Sequence, residues 1–227
     1  MGFLCRIFCE VSAIPIIVMF MMLRGSFPSA IMTTRPSAHL IRGLLAAASL
    51  ACTFASISRL PVSLAAALSF LAPVFVTVGA GLFLHERISK RTLVALLLSG
   101  AGVWVACRSD LVSFSSSESV IEGVLYGLAG ALLMALSMLQ LKRLSASESA
   151  ATLAFYFSIA IALVGLCSLI GDNTASFQAV TFVAILAGVS GAIGQLCLAE
   201  SMRLAPASRL APLDYLLLVW ASLWMSW

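Results

Sequence analysis

Long apolar stretches separated by short polar connections dominate this sequence. Eight of the stretches approach or exceed the roughly 20 residues that a helix needs to cross a bilayer. They are residues 3–23, 40–58, 62–84, 91–107, 122–141, 150–170, 179–202 and 206–226. The longest connections, 24–39 and 108–121, are too short to be separate domains. The pattern predicts an all-α integral membrane protein with about eight transmembrane helices.

The composition agrees with this fold class and excludes a soluble globular domain. Hydrophobic residues make up 62% of the chain and charged residues 10%. A soluble domain carries roughly 25% charged residues, so it could not cover this much apolar surface with polar groups. The basic residues form no patch with interleaved aromatic residues, so no nucleic-acid partner is predicted. The predicted surroundings are the lipid bilayer.

Basic residues fall mainly on one side of the predicted membrane. When the connections are numbered alternately, ten basic residues lie on the even side and three on the other. The ten are Arg24, Arg35, Arg42, Arg87, Lys90, Arg91, Lys142, Arg143, Arg203 and Arg209. The positive-inside rule places them in the cytoplasm. Both ends of this chain and its Ser-rich connection are therefore predicted to lie outside.

Part of the first half of the chain returns in the second half. The segment SRLPVSLAAALSFLAP at 58–73 reappears as MRLAPASRLAPLDYLLL at 202–218. Two matching pairs share an offset of 145 residues: Pro61 with Pro206, and Phe70 with Tyr215. The copies are five predicted spans apart, an odd number, so they cross the membrane in opposite directions. The sequence thus predicts an inverted-topology repeat, which in secondary transporters places the substrate near the membrane midplane.

A family pattern is carried by residues 41–108, which begin a span with Arg-Gly and continue LAPVFVTVGAGLFLHERISKRTLVALLLSGAGVWVA. Pro73, Glu86 and the glycine pair Gly100 and Gly102 give a P…E…G order that resembles the EamA domain of the drug/metabolite transporter superfamily. The segment APASRLAPLDYLLLVWASLW at 205–224 resembles the corresponding helix of the second EamA repeat.

The resemblance implies a ten-helix bundle of two inverted five-helix repeats (5+5), of which this sequence contains eight helices. On this reading residues 1–108 are the first EamA repeat without its first helix. Residues 109–121 are the Ser-rich external loop. Residues 122–227 are the second repeat without its last helix. The implied location is the inner (plasma) membrane, crossed many times.

The resemblance also implies a secondary transporter, or permease, that moves a small-molecule metabolite by alternating access. The segments TTRPSAHLIRG and APLDY resemble the bacterial branch that contains uptake carriers for S-adenosylmethionine and riboflavin. A coupling proton and a homodimer are further possible partners. The alternative is a non-transporting truncated remnant, or a partner subunit that dimerises to complete the bundle.

An enzyme is not predicted, because the chain has no HExxH motif, nucleophile elbow or phosphate loop. Neither a metal nor another cofactor is predicted. The six cysteines stand singly in or beside apolar stretches, without a CxxC pair or a histidine cluster.

Asp214 is the most informative ionisable residue. It lies eight residues into the last predicted span, about 12 Å from the end of that span at 1.5 Å per residue. That depth is near the middle of a hydrocarbon core roughly 30 Å thick, where a carboxylate indicates function by default. Asp214 is predicted to bind a cationic substrate or to titrate with a driving proton. A structural pairing with Arg209 or with a hydroxyl on a neighbouring helix is the alternative.

Other polar and aromatic residues at spanning depth are further candidates for substrate binding. Arg6 and Glu10 lie one helical turn apart on one face, where they line the cavity or form a structural ion pair. The remaining candidates offer hydrogen bonds or stacking surfaces, with helix packing as the alternative role for each. They are Gln195, Tyr215, Phe70, Tyr156 and Trp104.

Several residues are predicted to act structurally, chiefly Pro73, Glu86, Pro206 and Pro212. Pro73 predicts a kink whose freed carbonyl needs a partner. Glu86 is expected to cap or pair at the start of the next helix, whose first turn carries Lys90 and Arg91. Glu200 is expected to pair with Arg203. Small residues in the seventh span are expected to allow close helix packing. They are Gly188, Ser190, Gly191 and Gly194.

Overall fold

The computed structural model describes residues 2–23, 33, 35–90, 92–98, 100–101, 118–169 and 181–216. Every regular element within these ranges is a helix, as the sequence predicts. The first four are α1 (Gly2–Leu23), α2 (Pro36–Ile57), α3 (Val62–Ser69) and α4 (Ala72–Phe83). Residues 92–98 and 100–101 are also helical and are called α5. The remaining elements are α6 (Glu118–Leu144), α7 (Ala150–Leu169), α8 (Thr181–Leu204), α9 (Ala207–Leu210) and a 3₁₀ helix (Ala211–Tyr215).

Three helical segments within the described ranges are long and apolar enough to cross a membrane. They are Pro36–Ile57, Val62–Phe83 and Ser119–Leu144. Shorter apolar stretches occupy Ala13–Leu23 and Ala150–Leu163. Length and composition of these helices point to a membrane protein.

The second predicted span begins earlier than its hydropathy suggests. α2 starts at Pro36, whereas the apolar pattern begins at residue 40. The backbone N–H groups of Ala38 and His39 already bond to the Arg35 carbonyl, at 3.1 and 3.4 Å. Proline is well suited to the first helical turn, because its φ is already helical and no bond is lost there. Hydropathy misses this turn because polar residues occupy it.

The third predicted span is interrupted just before Pro73, and the described part of the eighth passes from an α-helix into a 3₁₀ helix at Ala211. α3 ends at Ser69 and α4 begins at Ala72, with Pro73 in its first turn. A proline at 73 has no N–H to give to the carbonyl of residue 69, so the helix stops there. In the last span α9 ends at Leu210, and Pro212 lies in the first turn of the 3₁₀ helix.

The chain divides into two compact units. The first contains residues 1–47 and 140–204, and the second contains residues 48–139 and 205–227. In the first unit Ala13, Ile17 and Met21 form a fully packed stripe along α1. Their spacing of four residues puts them on one face of the helix. This stripe packs against Ala154 of α7 and Ala192 of α8.

Within the first unit, the start of α2 lies directly against α7. A Cβ atom on Gly43 would overlap the Cβ of Ala160, so the two backbones approach as closely as glycine allows. Thr33 contacts Glu148 before α7, and Arg42 contacts Leu153 one turn into it. Along this interface the residue numbers of both segments rise together, so α2 and α7 run parallel.

In the second unit α6 contacts α2, α3 and α4. The Ser49 hydroxyl donates to the Gly130 carbonyl at 2.8 Å, and Arg59 pairs with Glu122 at 3.2 Å. Residue numbers in α6 fall as those from α2 onward rise, so these two helices are antiparallel. α3 and α4 instead advance together with α6. Their contacts run from Leu64 with Val120 and Val124 to Gly79 with Leu139.

Candidate functional site

The break between α3 and α4 lies against the 3₁₀ helix in the second unit. The Tyr215 hydroxyl donates a hydrogen bond to the Phe70 carbonyl at 2.7 Å. The two rings are stacked, with centroids 5.9 Å apart and planes 25° from parallel. Phe70 is the C-cap of α3, where a carbonyl has lost regular helical partners. The kink that Pro73 predicts is thus a helix break, and a side-chain hydroxyl bonds the carbonyl at that break.

The residues that meet at this junction occupy equivalent positions of the repeat that the sequence predicts. Tyr215 and Phe70 are 145 residues apart, which is the offset read from the sequence. The helix starts repeat as well. Pro61 caps α3 with φ −54° and ψ 144°. Pro206 caps α9 with φ −61° and ψ 142°. The same local backbone therefore precedes both broken helices.

Glu86 holds the start of α9. Its Oε1 accepts the Ala207 N–H and its Oε2 accepts the Ser208 N–H, each at 3.0 Å. The first amides of a helix need acceptors from outside it, and Pro206 at the N-cap has no side-chain oxygen to offer. The carboxylate also complements the positive end of the helix. Glu86 thus acts as an N-cap supplied from a distant part of the chain.

The turn after α4 brings Glu86 to this position. His85 has a positive φ of 53°. The Glu86 N–H returns to the Ala80 carbonyl at 3.1 Å. Histidine is among the residues that enter this left-handed region more often than most. The chain therefore leaves α4 in a tight turn.

The sequence led us to expect Glu86 at the start of the next helix. Ser89 occupies that place, because its hydroxyl accepts the Thr92 N–H at 3.1 Å. A Ser or Thr side chain bonded to the amide three residues on is the usual N-cap arrangement. Ser89 thus caps the next helix, and the Glu86 carboxylate bonds to the start of α9, 121 residues away at Ala207.

The other predicted residue at the junction is Asp214, next to Tyr215 in the 3₁₀ helix. Its side chain is exposed, as are those of Leu213 and Leu216. The structure thus brings together three of the predicted binding residues: Phe70, Asp214 and Tyr215.

The remaining predicted binding residues lie elsewhere or outside the described part of the chain. Tyr156 belongs to the first unit, where its ring stacks on His39 with centroids 4.6 Å apart. Gln195 is on α8, and its Oε1 is buried without a hydrogen-bond partner. The side chains of Arg6 and Glu10 are outside the described part, and so is the whole of Trp104.

Two smaller expectations about α8 have different outcomes. Glu200 pairs with Arg203 at 3.1 Å, as predicted. Among the described residues, Gly191 and Gly194 have no atom within 4 Å of the place a Cβ would occupy. Within that part of the chain, the close packing expected from their small size is not seen at these two positions.

Sequence reasoning missed a buried polar group at the start of α2. Arg42 was counted among the cytoplasmic charges, yet it is 3% exposed. Its Nη1 donates to the Leu153 carbonyl at 2.9 Å, and its guanidinium lies 4.5 Å from the centre of the Phe157 ring. His39 and Glu148 are buried beside it. The one sequence signal was the Arg-Gly pair, because Gly43 lets α7 come close enough to accept the guanidinium.

Comparison of the sequence with known proteins finds similarity to transporters. Residues 6–108 match the EamA-like transporter family. The pseudopaline exporter of Pseudomonas aeruginosa is 28% identical over 186 residues, covering 82% of this chain and 64% of that protein. The S-adenosylmethionine uptake transporter of Rickettsia conorii is 28% identical over 190 residues, covering 82% and 62%. The riboflavin transporter of Vibrio cholerae is 28% identical over 150 residues, covering 66% and 48%.

This chain therefore spans between about half and two thirds of the length of these curated relatives. A crystal structure of another protein superposes with a TM-score of 0.78 at 20% identity, covering 97% of this chain and 78% of that one. At that identity the likeness concerns the fold alone. Residues 6–108 of this chain are thus similar to the EamA-like transporter family, and the relatives named above are transporters.

Proposed function

We propose that this chain acts as a secondary transporter that moves a small metabolite across the inner membrane by alternating access. Transporters of three different small molecules are among its relatives. The polar groups described above make helix caps and helix-to-helix contacts, which suits a carrier rather than an enzyme. The chain would contribute eight helices to a ten-helix bundle of two repeats, 1–108 and 122–227, joined by the external loop 109–121.

Contacts within the second unit support the inverted orientation of these repeats. The first copy meets the second at Phe70 with Tyr215 and again at Glu86 with Ala207. As the first segment advances from 70 to 86, its partner goes back from 215 to 207. Equivalent segments that cross in opposite directions are what an inverted repeat requires.

The junction of Phe70 with Tyr215 is the observation that carries the proposed substrate site. Broken helices at membrane depth are tolerated where they line a cavity or are buried in protein, and transporters use them to bind substrates. The partly exposed Phe70 ring, backed by the buried Tyr215 ring, offers a stacking surface for a planar group. The neighbouring exposed Asp214 carboxylate offers a partner for a cation. A substrate of the S-adenosylmethionine type has both features, whereas riboflavin has only the planar one.

The test is uptake of labelled S-adenosylmethionine and of labelled riboflavin into proteoliposomes that contain the full chain. Phe70→Ala and Tyr215→Ala should each raise KM about 2–10-fold, the equivalent of the ~0.5–1.5 kcal/mol of an aromatic contact. Asp214→Asn should reduce uptake of the cationic substrate and spare riboflavin. Phe83→Ala, an exposed aromatic at the end of α4, is the matched control.

Unchanged uptake in the Phe70, Tyr215 and Asp214 variants would remove the junction as the substrate site. Absence of uptake by correctly folded wild-type chain would favour the alternative, a partner subunit that needs a second chain. Cross-linking of the reconstituted protein then shows whether it dimerises.

A further inference from the structure

His39 is the most unusual buried residue in the first unit. It lies in the first turn of α2, is 3% exposed, and packs its ring on Tyr156 at an interplanar angle of 32°. Within the described part of the chain, neither Nδ1 nor Nε2 has a hydrogen-bond partner. Both polar atoms of the ring are therefore shut away from water.

Such an arrangement is costly and calls for an explanation. More than nine in ten buried polar groups in native proteins are hydrogen-bonded. Each unpaired group costs about 1–3 kcal/mol. A leucine or phenylalanine at position 39 would fill the space beside Tyr156 without that cost. The imidazole brings one property that an apolar side chain lacks, the ability to take up a proton near neutral pH.

The charged surroundings of the ring are balanced between opposite signs. Among the described residues, Arg42 on α2 and Glu148 before α7 are the charges that act on it, and Tyr156 on α7 is the titratable neighbour. The Arg42 guanidinium donates to Leu153. Glu148 accepts the Thr33 hydroxyl at 2.7 Å. In this arrangement a protonated ring would bury two N–H donors without an acceptor, beside a cation. The neutral ring is the form that fits the structure.

We propose that His39 is the binding site for the coupling proton of transport. The proton binds to a ring nitrogen from water when the start of α2 opens toward the side that the sequence predicts to be cytoplasmic. It leaves to water on the opposite side before the neutral ring closes onto Tyr156, as in the structure. The step is a reversible protonation of one imidazole nitrogen, and no other bond changes. This inference rests on the proposed transport function and assigns the proton to a residue other than Asp214.

The chain has only two histidines, which makes the first test direct. The full chain, with ¹⁵N-labelled histidine, is placed in lipid nanodiscs, and its ring nitrogens are followed by NMR between about pH 5 and 8.5. His85→Asn removes the exposed histidine and identifies the His39 signals; asparagine also tolerates the positive φ at this position. Titration of His39 within this range supports the proposal. A ring that stays neutral throughout identifies a structural histidine and overturns it.

The second test separates coupling from transport. Proteoliposomes with labelled S-adenosylmethionine are given a pH difference of one unit, which can drive at most about tenfold accumulation per proton carried with the substrate. His39→Gln should lose the stimulation by the gradient but keep exchange of labelled for unlabelled substrate. His85→Asn should behave as wild type. Gradient stimulation that survives in His39→Gln overturns the proposal.

The two proposals fail in different ways. If wild-type chain moves no substrate, the proposed transport function fails, and the NMR titration still decides whether His39 binds a proton. If transport occurs and the NMR signals of His39 do not change with pH, the transport function stands and the assignment of the proton to His39 is overturned.

Discussion

The hydrogen bonds from the first amides of α9 to Glu86 can be tested by replacing one carboxylate oxygen with an NH₂ group. Glu86→Gln keeps the size of the side chain but leaves a single oxygen where two amides now donate, at 3.0 Å each. The NH₂ group of glutamine would face the second amide donor. A hydrogen bond to a charged group contributes about 1.5–3 kcal/mol. The loss of one such bond should therefore lower the free energy of unfolding by about that amount.

Thermal unfolding of the purified chain in detergent gives the measurement. For a chain of this size each kcal/mol shifts the melting temperature by about 2–4 °C, so Glu86→Gln should melt about 3–12 °C lower. Glu122→Gln is the matched control, because that carboxylate pairs with Arg59 in an exposed position where an ion pair contributes about 0–1 kcal/mol. Equal melting temperatures for the two variants would refute the cap.

Two further substitutions probe the other close contacts. Gly43→Ala should lower the free energy of unfolding by about 1–3 kcal/mol because its Cβ overlaps Ala160. The double variant Gly43→Ala with Ala160→Gly should recover most of the melting temperature, and no recovery would contradict the close approach of α2 and α7. Tyr215→Phe should lower the free energy of unfolding by about 1 kcal/mol because it removes the donor to the Phe70 carbonyl. Tyr126→Phe, at a partly exposed ring, is the control, and an equal loss in both variants would contradict this bond.

The sequence was a good guide wherever local physics decides the structure. Apolar length predicted the helices, because a backbone in lipid has to satisfy its own hydrogen bonds. Pro73 marked a disturbance near the point where α3 ends at Ser69. The offset of 145 residues, read from matching letters, pairs Phe70 with Tyr215, which are in contact in the structure.

Tertiary contacts were beyond the same reasoning. The partner of Glu86 is 121 residues away, and no local pattern specifies such a pairing. One signal was nevertheless present: Pro206 starts a helix without a side-chain oxygen, so an acceptor had to come from elsewhere. The burial of His39 and Arg42 escaped because hydropathy reads polar residues at a helix start as exposed. Packing against α7, made possible by Gly43, decides otherwise.

The second unit is built from two segments that lie far apart along the chain, which has a consequence for its synthesis. That unit joins residues 48–139 to residues 205–227, so its early helices are synthesised well before their last partner. Between Glu86 and Ala207 the ribosome adds 121 residues, which takes roughly 6–24 s at 5–20 residues per second. During that interval α3 and α4 lack α9, and the Glu86 carboxylate lacks the two amides of α9 that donate to it. This part of the second unit therefore forms only after residues 205–216 have been made.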